Sequence, residues 1–123
     1  MKYAILGDIH ANLAALDAVL DDAANQHIDQ YVCMGDVVGY NARPLECLEK
    51  IRSLCQKVVR GNHDHYCSRN DNLDNFHPLA ADVVGWTRKL LSPEQSGYLR
   101  NLPLIIHHSH FTMVHSTLYT PDG

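Results

Sequence analysis

Residues 31–36 read Tyr31-Val32-Cys33-Met34-Gly35-Asp36, an apolar run of strand length that stops at a Gly-Asp turn. Four apolar residues without a polar interruption are the pattern of a strand covered on both faces. The same punctuation recurs on either side. Tyr3-Ala4-Ile5-Leu6 ends in Gly7-Asp8, and Val58-Val59 runs into Gly61-Asn62-His63-Asp64. Between the first two runs, Asn12 is placed to cap a helix carrying Leu13, Leu16, Val19, Leu20 and Ala23 on one face. Between the second and third, Pro44 suits the first helical position, and Leu45, Leu48, Ile51 and Leu54 follow at helical spacing. Strand, helix, strand, helix, strand at this spacing predicts parallel strands with crossover helices, an α/β fold.

The rest of the chain reads more loosely. Residues 66–76 are polar and predict a loop. Pro78 opens a helix with Leu79, Val83, Trp86 and Leu90 on one face, and Trp86 is expected in the core. Ser92-Pro93-Glu94-Gln95 has the form of a capping box and predicts a short helix to about Leu99. After Pro103, Leu104-Ile105-Ile106 and Phe111-Thr112-Met113-Val114 predict two strands joined as a hairpin near His108-Ser109, followed by His115-Ser116. No internal repeat or linker divides the sequence, so residues 1–123 are expected to form a single domain.

Composition narrows the class. Hydrophobic residues make up 46% and charged residues 20%, ordinary for a globular protein, and the formal net charge of −4 offers no general attraction to nucleic acid or an anionic membrane. No apolar run approaches the roughly 18 residues of a membrane span. The start, MKYAILGDIH, is too brief an apolar stretch for a signal peptide. Cys33, Cys47, Cys55 and Cys67 contain no C-x-x-C pair and are expected to be reduced thiols. These readings point to the cytoplasm.

In an open α/β sheet the ligand site lies at the carboxyl ends of the strands. Asp8, His10, Asp36, Asn62 and His63 all sit there, far apart in sequence and expected close in space. Asp8 and His10, two apart in an extended segment, would point the same way and reach one ion. The carboxylate of Asp36 has two oxygens with which to bridge two cations, Asn62 offers a neutral amide oxygen, and His115 ends a later strand. Carboxylate, imidazole and amide without thiolate suit Mn²⁺, Fe or Zn²⁺ better than Ca²⁺ or Cu(I), with Mn²⁺ the first expectation. Two cations about 3.5–4 Å apart clamp a phosphoryl group and acidify a bridging water to hydroxide. A nearby histidine then assists the leaving oxygen. Asp64 reads as a local hydrogen-bond partner and His65 as part of a solvated loop. His107, His108 and His110 read as an exposed turn, and His27 and His77 as structural. Arg43 and Arg60 read equally as second phosphate contacts or as solvated cations.

The motifs Gly7-Asp8-Ile9-His10, Gly35-Asp36-Val37-Val38-Gly39-Tyr40 and Gly61-Asn62-His63-Asp64, in this order, resemble the calcineurin-like metallophosphoesterase superfamily, in particular its small bacterial phosphatases and phosphodiesterases. Val114-His115-Ser116 is similar to the family's next motif, V-H-G, with Ser116 in place of glycine. The resemblance implies a sandwich of two sheets flanked by helices. It implies a dinuclear metal site: Asp8 and His10 on the first metal, Asp36 bridging, Asn62 and His115 on the second. His63 would be the catalytic residue, contacting phosphate together with Asn62. The expected activity is hydrolysis of a phosphomonoester or phosphodiester, and the expected partner is a small phosphorylated substrate such as a nucleotide. The family's terminal G-H-x-H motif has no counterpart in these 123 residues. The expectation is therefore a truncated domain whose gaps water or another chain would fill, the latter as a homodimer. The rival reading is an inactive family member acting as a metal-binding or protein-interaction scaffold.

Overall fold

The computed structural model describes residues 1–121. Three strands, β1 (Tyr3–Leu6), β2 (Gln30–Cys33) and β3 (Lys57–Val58), form a parallel sheet in that order, with Ile5 paired to Val32 and Cys33 to Val58. The crossovers are α1 (Leu13–Ala24) and α2 (Pro44–Leu54). Asn12 caps α1 by accepting the Ala15 N–H at 3.1 Å, a contact worth about 1 kcal/mol. The α/β reading of the sequence holds for this half of the chain.

Successive residues of a strand point to opposite faces, and the two faces find different partners here. Leu6, Cys33 and Val58 join Leu16, Leu48 and Ile51 in the helix-side core. Val32 and Val59 pack instead with Met113, Ile106 and Phe111. Ile106 and Met113 come from β4 (Ile105–His107) and β5 (Thr112–Val114), an antiparallel hairpin, and Phe111 from the turn that joins them. The hairpin is a second sheet lying against the first, and it delivers His115 to the strand ends.

Between β3 and the hairpin lie α3 (Asn62–Cys67), α4 (Pro78–Leu90) and α5 (Pro93–Arg100). The capping box of α5 is formed: Ser92 Oγ accepts the Gln95 N–H at 3.1 Å, and Gln95 Oε1 accepts the Ser92 N–H at 2.9 Å. Two sequence expectations are corrected. Tyr66 and Cys67, expected to begin the loop of residues 66–76, instead end a helical segment, Asn62–Cys67. The sequence NHDHYC has no apolar period, and the turn is held by Asp64, whose carboxylate reaches back to the Gly61 N–H at 2.9 Å. Helix α4 is also rolled relative to its apolar stripe. It buries Ala80, Val84 and Thr87 and leaves Trp86 43% exposed, along with Leu79 and Leu90. Small residues allow α4 to approach the body of the protein closely, and the Thr87 hydroxyl is satisfied by the Val83 carbonyl at 2.8 Å.

Candidate metal centre

The loops that follow β1 and β2 do not run extended. Asp8, His10, Ala11, Asp36 and Tyr40 all have positive φ, between 48° and 65°. Each such non-glycine residue costs about 1–3 kcal/mol, and strain of this kind clusters at functional sites. Hydrogen bonds hold the two loops together: Asp8 N–H donates to Gly35 O at 3.1 Å, His10 N–H to Asp36 O at 2.8 Å and Ala11 N–H to Val37 O at 2.9 Å. The extended geometry expected for Asp8-Ile9-His10 is therefore replaced by left-handed backbone. Its residues still converge, with His10 Nε2 3.9 Å from Asp8 Oδ1.

Asp36 is the hub. It is buried, and its Oδ2 lies 3.4 Å from His10 Nε2 and 3.2 Å from His115 Nε2. Its Oδ1 accepts the His63 N–H at 2.9 Å. Burial, and secondarily the Asp8 carboxylate, push its carboxyl up to about 6 against the opposing pull of His115 and the His63 N–H. Gly61 is required at its side, because a Cβ there would stand 2.2 Å from Asp36 Oδ1.

Both flanking imidazoles are oriented by backbone carbonyls. His115 Nδ1 is 2.8 Å from Met34 O and His10 Nδ1 is 3.3 Å from Val38 O. With Nδ1–H donated away, each ring turns Nε2 toward the Asp36 carboxylate, the arrangement of a metal-ligating histidine with its outer partner. The Asn62 side-chain amide converges on the same group, with one end atom 3.1 Å from Asp36 Oδ2, 3.3 Å from Asp36 Oδ1 and 3.2 Å from His115 Nε2. Turned nitrogen-inward it hydrogen-bonds the carboxylate and the imidazole, and turned oxygen-inward it is a neutral donor to a cation. Carboxylate, imidazole and amide groups brought this close together are the donor set of a divalent cation, so the residues present fit a metal. Two ligand groups share Asp36: Asp8, Asp36 and His115, and His10, Asp36 and His63.

Residues 1–122 match the calcineurin-like phosphoesterase family. The chain belongs to that family. A metallophosphoesterase from Sphaerobacter thermophilus has a structure similar to this one, with a TM-score of 0.86 at 40% identity over 100% of this chain and 50% of that one. Uncharacterized protein MJ0912 of Methanocaldococcus jannaschii is 47% identical over 104 residues, 84% of this chain and 42% of that protein. The symmetrical bis(5'-nucleosyl)-tetraphosphatase of Psychromonas ingrahamii is 40% identical over 63 residues, 49% of this chain and 23% of that protein. The chain spans half or less of the length of each.

For a calcineurin-like phosphoesterase, the surroundings of the ligands matter as much as the ligands. Asp64 is fully buried and accepts the N–H groups of Asp36 at 2.8 Å, Val37 at 2.9 Å and Gly61 at 2.9 Å. It thus joins two of the sequence motifs, which its reading as a local partner understated. His63 is buried beside the centre, 4.9 Å ring to ring from His10 and 4.4 Å from Tyr40. Desolvation, then the nearby His10 and His115, lower its pKa to about 4. Gly39 gives it room: φ is +94° there, and a Cβ would come within 2.4 Å of His63 Nδ1.

Other sequence candidates lie elsewhere. His65 sits in α3 and pairs with Asp71 at 2.9 Å, so it is not part of a solvated loop. Arg43 pairs with Glu46 at 3.0 Å. His108 stacks on Phe111 at 4.6 Å and bonds Gln30 at 3.2 Å, while His107 and His110 are exposed. The four cysteines are free, and burial raises their thiols, Cys47 to about 11 and Cys55 and Cys67 to about 12. No described helix is long and apolar enough to cross a membrane.

Proposed function

We propose that this chain carries the greater part of a dinuclear phosphoesterase site and hydrolyses a phosphomonoester or phosphodiester of a small molecule. The observation that carries the reading is the convergence of Asp8, His10 and His115 on the buried Asp36 carboxylate, with the Asn62 amide beside them. Asp8 and His10 would hold one cation and Asn62 and His115 the other, with the Asp36 carboxylate available to both. Mn²⁺ is the ion we favour, since carboxylate, imidazole and amide suit it as they suit Fe and Zn²⁺. Bound divalent cations would supply Lewis-acid polarisation of phosphoryl oxygens and acidification of a water.

The chain's own residues do the rest. Asp36 is kept in register by the His63 N–H and by the loop that Asp64 ties down. His63, a neutral imidazole at pH 7, donates a ring N–H to a phosphoryl oxygen. In the hydrolysis the water oxygen forms the new bond to phosphorus, the ester P–O bond breaks, and the departing oxygen leaves with a proton. We read residues 1–123 as one unit and place it in the cytoplasm, a location the four unpaired thiols favour. A homodimer has one supporting observation: β1 is an edge strand of the described sheet and Ile5 on it is 59% exposed.

The test is Mn²⁺-dependent turnover of p-nitrophenyl phosphate and bis-p-nitrophenyl phosphate by this chain and by Asp36→Ala. Turnover that disappears in the variant supports the reading. A folded chain inert with Mn²⁺, Fe²⁺ and Zn²⁺ would leave the scaffold reading in its place.

A further inference from the structure

A cleft of about 450 Å³ opens directly from the metal centre, with Asn62 and His63 on its inner wall. Its remaining lining includes Tyr40, Tyr66, Phe76 and Asn75. The rings form a continuous aromatic run. Tyr40 lies 4.4 Å from His63, His63 lies 5.6 Å from Phe76, and Phe76 lies 4.9 Å from Tyr66, centroid to centroid. Tyr40 is 53% exposed, and its backbone is held at φ 65°, so a large aromatic surface is kept in solvent beside the site at a conformational cost. No lysine or arginine is among the residues lining the cleft, and its two outer imidazoles are engaged, His65 with Asp71 at 2.9 Å and His77 with the Leu79 N–H at 3.2 Å. A wall without a permanent cation offers little to a second phosphate. It is suited to a flat, uncharged heteroaromatic group that stacks on the rings. The Asn75 amide offers both a donor and an acceptor to the edge of such a group.

We propose that this cleft seats the nucleobase of a nucleoside phosphoester whose phosphoryl group lies at the Asp36 centre. The inference rests on the phosphoesterase reading for the position of the phosphate, but the cleft itself can be tested without any reaction.

The first arm uses adenosine, which has no phosphate. In ¹H–¹⁵N spectra of the whole chain, adenosine should shift the amides of Tyr40, Tyr66, Asn75 and Phe76, and ribose 5-phosphate should not. Tyr40→Ala should weaken adenosine about tenfold, the scale of losing one stacking partner. Asn75→Trp, which fills the cleft from an exposed rim position, should abolish the shifts. Unchanged spectra with adenosine, or equal affinity in both variants, would overturn the proposal.

The second arm compares kcat/KM for adenosine 5'-monophosphate and ribose 5-phosphate with Mn²⁺. A preference for the nucleotide that shrinks about tenfold in Tyr40→Ala supports the base site. Equal rates on both esters overturn it and leave the phosphoesterase reading intact. Adenosine binding in the cleft with no ester turned over supports the base site and defeats the phosphoesterase reading instead.

Discussion

Asp64 holds the backbone of Asp36 from behind: its Oδ2 accepts the Asp36 N–H at 2.8 Å in a fully buried position. The same carboxylate accepts the Val37 and Gly61 N–H groups. Removing it would strand three buried donors, each worth about 1–3 kcal/mol when unsatisfied. Asp64→Ala is therefore expected to lose at least ~3 kcal/mol of stability in urea denaturation. Asp64→Asn, which keeps one acceptor oxygen, should lose less. Equal and small losses for both variants would mean that water replaces the carboxylate.

Asp36 accepts a single backbone N–H, that of His63, where Asp64 accepts those of Asp36, Val37 and Gly61. Its carboxyl is raised to about 6 by burial, so ionising it costs the metal-free fold. Asp36→Asn should leave the melting temperature of the metal-free chain unchanged or higher. It should also remove the rise in melting temperature that Mn²⁺ produces in the parent chain. A variant that is less stable without metal would show that the carboxylate has a structural role of its own.

These two aspartates mark how far the sequence could be read. Asp36 follows an unbroken apolar run and a glycine, and the same punctuation at Asp8 and Asn62 locates three strand ends and so the centre. The role of Asp64 was less legible, because its partners at Asp36 and Val37 lie about thirty residues away and no local pattern announces them. Trp86 failed for a related reason. Periodicity shows that a helix has an apolar face, but packing decides which face turns inward, and α4 turns its small residues in. The helical turn at Asn62–Cys67 is likewise set by one side chain, not by a repeat.

Gly39→Ala places a methyl group against His63 Nδ1 at a backbone angle that alanine tolerates poorly. The imidazole must then move, while Asp8, His10, Asp36, Asn62 and His115 remain in place. Turnover is expected to fall about 100-fold, the scale of a misplaced positioning group, with Mn²⁺ affinity by calorimetry within a few-fold of the parent. A parallel collapse of Mn²⁺ affinity would mean that His63 is itself a ligand.

The pH dependence of His63 follows from its lowered pKa of about 4. In the unfolded chain this histidine takes up its proton near 6.5, and in the folded chain it does so only near 4. Its contribution to stability is thus fully present above about 6.5 and is lost as pH falls through 4. NMR titration of the metal-free chain should find the His63 ring neutral at pH 5.5, and His63→Gln should flatten the acid limb of the stability profile. A midpoint near 6.5 would contradict the desolvated environment.

His115 bonds the carbonyl of Met34, a residue 81 positions earlier, and reaches Asp36 only because the β4–β5 hairpin docks across the sheet. Contacts of such long sequence separation form late and slowly. During synthesis Asp8, His10 and Asp36 emerge long before His115. The ion pocket gains His115 only on the hairpin's arrival, so a captured cation would certify that segments 81 residues apart have found each other.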